Sequence, residues 1–389
     1  MAAMNVIYIH THDTGRFISP YGNPVPTPNL DAFARRATLF RNAHSAAPTC
    51  SPSRAALLTG RSAHGSGMLG LAHRGFAITD YNTHLARFLG VNGYYSVLAG
   101  IQHEAADSAT IGYREIIAGT EEIRNAERAA DFLRDHASSP EPFFLSFGMV
   151  ATHRPFPANG GATPGYLKVP NGVPDTPQTR EDFAAYLGSA AAADRCAGVV
   201  LDAIEEAGLW ENSIVLYTTD HGIAFPGYKC TLRDSGTGVA LIMTYPGNPL
   251  AGGVVDAMVS HIDLFPTICE ITGLPLPKWL EGYSMVPLFT GKAGEIRDEL
   301  FAEVTFHAAY EPKRSVRTQR YKLIRHFSPD RRPVPANIDD SPGKTILIEN
   351  GLLQRNDHLD ALYDLALDPG EGLNLIDDPA YASVRKELE

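Results

Sequence analysis

The sequence predicts an α/β fold: a mainly parallel sheet covered by helices on both faces, followed by a smaller C-terminal domain built on an antiparallel sheet. Three observations predict it. Apolar strand-like runs alternate with longer helical patterns over the first two-thirds of the chain, a rhythm that needs crossover helices and therefore parallel strands. From about Glu299 onward short strand-like pieces joined by tight polar turns replace that rhythm, as in an antiparallel meander. The 389 residues, 44% hydrophobic and 20% charged, exceed one usual core and suit a large domain over 1–298 and a small α+β domain over 299–389.

In chain order, the expected strands of the large domain are 5–11 (NVIYIHT), 94–99 (YYSVLA), 143–150 (FFLSFGMV), 213–219 (SIVLYTT) and 240–245 (ALIMTY). Each is a short apolar run of the kind buried on both sheet faces. Helices are expected over 28–37 behind the cap Thr27, then over 84–91, 121–136, 180–207 and 262–272. The small sheet is expected from 299–306, 315–318 and 321–327, with a turn at Asp368-Pro369-Gly370 inside 363–375. Proline-rich stretches at 155–177 and 329–342 read as surface loops. Ligands of parallel sheets bind beyond the carboxyl ends of strands, so polar residues just after these strands carry the most interest.

With 33 Lys+Arg against 44 Asp+Glu the net charge is −11, which argues against a nucleic-acid binder dependent on a basic face. The same charge disfavours long polyanionic chains and favours a small anionic substrate drawn into a local cationic pocket. No long apolar stretch suggests a membrane span, and no leader pattern precedes the first strand, so a cytoplasmic protein, or a mature form with its leader removed, is expected. Four scattered cysteines, at 50, 196, 230 and 269, show neither metal-site nor disulfide spacing.

The decisive segment is Cys50-Ser51-Pro52-Ser53-Arg54-Ala55-Ala56-Leu57-Leu58-Thr59-Gly60-Arg61. Pro52 suits a first helical turn and Gly60 a helix end, so Cys50 should sit at or just before a helix N-terminus. Free amides there, with Arg54 one turn in, favour an anion. A lone cysteine is more often a buried small hydrophobe, but this string resembles the signature of the formylglycine-dependent sulfatases, Cys-x-Pro-Ser-Arg followed by a Leu-Thr-Gly helix end. The resemblance implies an alkaline-phosphatase-like fold, oxidation of Cys50 to formylglycine by a formylglycine-generating enzyme, and a hydrated aldehyde as nucleophile.

Further family landmarks follow in order. His12-Asp13 lies where most sulfatases carry two aspartates. Asp13 matches the second and is implied to bind a divalent cation, whereas His12 replaces the first. Asp220-His221-Gly222 matches the second metal pair. The implied ligands are therefore Asp13, His12, Asp220, His221 and the modified Cys50, with calcium the first choice of ion and manganese, magnesium or zinc the alternatives, because imidazole moves preference toward transition metals. Lys229 matches the sulfate-contacting lysine, His153 the histidine that protonates the leaving atom, and His103 the candidate base that frees the aldehyde again. Arg54 and Lys229 are expected to offset the negative charge.

At Gly100-Ile101-Gln102-His103 the family's lysine is replaced by Ile101; either Gln102 or His12 is expected to fill that gap, or the enzyme to be slow or shifted in substrate. The segments 303–307 and 317–323 resemble the sulfamidase-like branch, which includes heparan N-sulfatase, and His307 is a candidate contact for the sugar. The expected activity is hydrolysis of a sulfuric ester or sulfamate on a small sulfated saccharide. A phosphonate monoester or phosphodiester hydrolase of the same superfamily, and a catalytically silent binder of sulfated ligands, are the alternatives. Neither nucleic acid nor membrane is an expected partner; an oligomer is admitted.

Overall fold

Strand β1 (Asn5–Thr11) is buried along its whole length, and its alternating side chains feed two different cores. Val6 and Tyr8 point into one apolar cluster and Ile7 and Ile9 into another, as the two-residue period of a strand covered on both faces requires. The computed structural model describes residues 4–119, 121–157, 162–330, 332–355 and 360–389. Parts of the two proline-rich loops, at 158–161 and 331, lie outside them.

The remaining strands of the large sheet are β2 (Thr38–Phe40), β3 (Tyr95–Gly100), β4 (Glu115–Ile117), β5 (Phe143–Gly148), β6 (Ser213–Thr219), β7 (Leu241–Thr244) and β8 (Val254–Val255). Their order is β4-β3-β5-β1-β6-β7-β2-β8. The pairings from β4 through β6 are parallel, whereas β7 runs antiparallel to both β6 and β2. The mainly parallel expectation therefore holds, with β7 as the reversed strand. Helices α1 (Pro28–Ala34), α4 (Glu122–His136) and α5 (Pro177–Glu206) cover one face, and α2 (Cys50–Thr59), α3 (Leu85–Val91) and α6 (Leu264–Thr272) the other.

Boundaries moved where local chemistry decided them. Helix α5 begins at Pro177 because Thr176 and Thr179 form a capping box and Pro177 occupies the first turn. Helix α3 begins at Leu85 because His84 is its cap, its Nδ1 accepting from the Ala86 amide. Helix α1 stops at Ala34, since Thr38 already belongs to the sheet.

The second sheet is antiparallel, in the order β9 (Leu300–Phe306), β10 (Tyr310–Arg317), β11 (Tyr321–His326) and β12 (Ala361–Asp364). The sequence understated β10 and showed only a turn where β12 lies. Strand β12 is four residues long and buried on both faces, Tyr363 toward one cluster and Leu362 toward another, so it lacks the alternation that marks an exposed strand. Inside the loop expected at 329–342, Ser341 caps a short helix, α7 (Pro342–Glu349). Among the described residues, no helix is long and apolar enough to cross a membrane.

Candidate active site

The carboxyl ends of β1 and β6, adjacent and parallel, each carry an Asp–His pair just beyond the last strand residue. Asp220 joins the two ends: its Oδ1 accepts from the Asp13 amide at 2.8 Å and from the His221 amide at 2.9 Å. Asp13 itself lies in the left-handed region at φ 50°, a conformation that short polar residues tolerate, and Thr152 Oγ1 donates to its carbonyl. Gly222 is required by space. A Cβ there would lie 2.0 Å from the Ser235 carbonyl oxygen.

Helix α2 delivers Cys50 as its first residue, behind Thr49 in extended conformation, and ends on Gly60 at φ 66°. Every residue of α2 is buried. The Cys50 sulfur lies 3.4 Å from His221 Nε2 and 3.9 Å from Asp13 Oδ1. The His12 Nδ1 atom is 3.0 Å from Asp220 Oδ2, yet it is buried without a hydrogen bond. His12 also packs against the rings of His103 and His153, at centroid distances of 5.6 and 5.7 Å.

The charges at this point are strongly coupled. Burial opposes ionisation of Cys50, but Lys229, His221 and hydrogen bonds to His103 and His12 outweigh it and hold the thiol well below its usual range. His153, hydrogen-bonded to Cys50, is raised to about 9, and its Nδ1 is engaged by the Arg154 carbonyl. Burial disfavours protonated His221, yet Asp220, Asp13 and Cys50 raise it to about 9. Burial likewise works against charged Lys229, but Asp13, Cys50 and Asp339 keep it protonated, and its Nζ donates to Asp13 Oδ2 at 2.9 Å.

The residues expected from the sequence are thus brought together, with three refinements. Arg54, 1% exposed, spends its guanidinium on Asp220 Oδ2 (3.2 Å), the Thr11 carbonyl (2.7 Å) and His10 Nδ1 (2.6 Å); it holds the carboxylate framework from beneath. Gln102 does not replace the lysine missing at Ile101. Its amide is committed to Ala105 and Ser108, and its carbonyl oxygen to the Glu104 and Ala105 amides. His12 is the residue that sits beside Cys50 instead. Two further residues had no signal in the sequence. Asp339, from the loop before α7, places Oδ2 3.2 Å from Lys229 Nζ. His73 stacks on His103, with Nδ1 3.1 Å from His103 Nε2.

A divalent cation fits these residues. Ligand atoms of His12, Asp13, Cys50 and Asp220 lie within 4.8 Å of one another, as do those of His12, Cys50 and His103. His221 Nε2, 3.3 Å from Asp13 Oδ1 and 3.7 Å from Asp220 Oδ2, borders the first set. Two carboxylates and two imidazoles form a mixed oxygen and nitrogen donor set, with His12 Nδ1 3.0 Å from Asp220 Oδ2.

A family model described as Sulfatase matches residues 4–274. The chain belongs to the sulfatase family. A second model, N-sulphoglucosamine sulphohydrolase, C-terminal, matches residues 228–333 of this sulfatase, which agrees with the resemblance to the sulfamidase-like branch. Human N-sulphoglucosamine sulphohydrolase is 29% identical over 99% of this chain and 88% of its own length. An ulvan-active sulfatase of Formosa agariphila is 28% identical over 95% of this chain and 74% of its own. Among solved structures, a protein in complex with its substrate D-glucosamine-2-N,6-O-disulfate superposes with a TM-score of 0.76 at 19% identity, covering 99% of this chain and 96% of that one. That likeness shows the shared fold.

Proposed function

We propose that this sulfatase is a metal-dependent hydrolase of small sulfated amino sugars, cleaving a sulfuric ester or sulfamate by way of formylglycine made from Cys50. The observation that carries the reading is the position of Cys50, first residue of a buried helix at the carboxyl ends of β1 and β6, within reach of Asp13, His221, His12, His103, His153 and Lys229. The names of the similar proteins, an N-sulphoglucosamine sulphohydrolase and a protein in complex with its substrate D-glucosamine-2-N,6-O-disulfate, support an amino sugar as the substrate class.

The Cys50 sulfur stands where the oxygens of the hydrated aldehyde would be, and that hydrate would supply one hydroxyl as nucleophile and a second, geminal hydroxyl whose deprotonation re-forms the aldehyde and expels sulfate by C–O cleavage, which a serine cannot do. His12, Asp13, Asp220 and His221 would hold the divalent cation, which lowers the pKa of a bound hydroxyl and neutralises sulfate oxygens. Calcium is the first choice of ion, with manganese, magnesium or zinc as alternatives because imidazole ligands move preference toward transition metals. Lys229, kept protonated, offsets charge on the sulfate. His153 faces residue 50, where a general acid for the departing oxygen or nitrogen would stand. His103, positioned by His73, is the candidate base. Arg54 fixes Asp220.

The test is mass analysis of the tryptic peptide bearing residue 50, taken from the native host, together with turnover of N-sulfoglucosamine and of an aryl phosphonate. An aldehyde at residue 50 and preference for the sulfated sugar are expected. An unmodified thiol with no turnover, or a large preference for the phosphonate, would overturn the reading.

A further inference from the structure

The loop that carries His153 is tied to two other segments by one side chain. His153 Nδ1 is engaged by the Arg154 carbonyl. A carbonyl oxygen only accepts, so Nδ1 carries the hydrogen, and Nε2 is the nitrogen left for residue 50. The Arg154 side chain anchors that carbonyl. Its guanidinium forms a two-pronged ion pair with Asp182 of α5, Nη1 to Oδ1 at 2.7 Å and Nη2 to Oδ2 at 2.5 Å. Its Nε donates to the Ala224 carbonyl at 2.8 Å, in the loop after β6 that also carries His221 and Lys229. The guanidinium lies over Phe156 and Phe225, 4.3 and 4.8 Å from their ring centres, and the two paired side chains are only 13% and 10% exposed.

A planar, bidentate and mostly desolvated pair fixes direction as well as distance. We infer that Arg154, clamped by Asp182, is a positioning residue that sets the His153 ring for proton delivery to the leaving group. This rests on the hydrolase mechanism proposed above and deepens it. As the bond from sulfur to the leaving atom breaks, its electron pair goes to that atom, an oxygen of residue 50 bonds to sulfur, and the Nε2 proton passes to the leaving atom. What remains is the Nδ1–H imidazole, the tautomer that the Arg154 carbonyl holds. The need for this proton grows with the basicity of the leaving group, since a nitrophenolate departs as a stable anion whereas a sugar oxygen or nitrogen does not. A misplaced ring therefore costs most on basic leaving groups. An ion pair that served the fold alone would affect every substrate alike.

The test measures kcat/KM of formylglycine-bearing full-length protein on 4-nitrophenyl, phenyl and 4-methoxyphenyl sulfate and on N-sulfoglucosamine. In Arg154→Ala the loss is expected to grow along this series, from under about threefold on the nitrophenyl ester to about 10- to 100-fold on the sugar, the range for a misplaced catalytic group. Arg154→Lys keeps the charge without the fork, and Asp182→Asn keeps one acceptor oxygen; both should show the same trend at smaller amplitude. These two variants decide the matter if melting curves show that Arg154→Ala is not folded. Equal losses along the series, or no loss on the most basic leaving group, would overturn the positioning role and leave the hydrolase reading standing. Wild-type protein that cleaves the aryl sulfates but not N-sulfoglucosamine would overturn the sugar reading alone, because the aryl series still decides the role of Arg154. If wild-type protein cleaves none of them, both readings fall.

Discussion

Two buried clusters of charge, built from the same residue types, differ in what they leave unpaired. Under the small sheet, Asp234 receives Arg317 Nε and Nη2 at 3.0 Å each and Lys322 Nζ at 2.5 Å, and Lys322 also meets Glu371 at 2.9 Å. Arg16 and the neutral His44 border the same carboxylate. Fixed cations there at least match the carboxylates. At the strand ends, Asp13, Asp220 and Asp339 meet two fixed cations, Arg54 and Lys229, with His12 and His221 beside the carboxylates, and Asp220 and Asp13 pull His221 toward protonation. The first cluster sets a fixed cation against each of its carboxylates and joins two sheets. The second has an unfilled demand for positive charge and for donors, which is what a site for a cation and a substrate needs.

The sharpest way to break this contrast is Cys50→Ala. Turnover should disappear, a loss of at least about a thousandfold on the scale of removing a nucleophile, while the melting temperature moves only a few degrees, because a small side chain at a helix start is lost. Surviving activity would remove residue 50 from the chemistry. Next in size is Asp234→Ala in the first cluster. Arg317 and Lys322 would be left buried without their carboxylate, and a loss of about 3–5 kcal/mol in urea unfolding is expected. A loss below about 1 kcal/mol would mean that the cluster is not the structural counterpart described above.

Asp220→Asn should weaken retention of a divalent metal by about 10- to 100-fold, read as metal content after dialysis or as affinity in calorimetry. Unchanged affinity would take Asp220 off the ligand set. The last effect concerns pH and is seen only in acid. His84 is fully buried, neutral as the cap of α3, and burial lowers it to about 3. Its folded pKa thus lies below the unfolded value near 6.5, so its contribution is intact above pH 6.5 and is lost as pH falls from there toward 3. His84→Asn, which preserves the cap acceptor, should flatten the pH dependence of unfolding free energy by about 1.4 kcal/mol per pH unit in that window. An unaltered slope would show that His84 is not the buried neutral group.

Apart from β4, three residues long and not expected, the strands of the parallel half of the sheet were legible because each is a short apolar run that closes just before a polar motif, and β1 and β6 match the expected 5–11 and 213–219. β2, β8 and β12 were not legible. They are two to four residues long, too short for periodicity, and exist because longer strands offer them an edge. In the site, Cys50, Asp13, Asp220 and Lys229 stood in recognisable local strings, whereas Asp339 lies in an irregular proline-rich loop and gains meaning only from Lys229, which is far away in the chain.

By itself the sequence determined the alternating α/β pattern, the helix that starts at Cys50, the polar residues at strand ends and the sulfatase family, because these depend on neighbouring residues and on motifs of fixed spacing. Only the tertiary structure decided where the charges are directed: Arg54 toward Asp220, Gln102 into its own loop, His12 into the gap beside Cys50, and Asp339 onto Lys229. The physical reason is that a side chain's partner is fixed by the packing of segments distant in sequence, and burial then makes each such pairing, or its absence, energetically large.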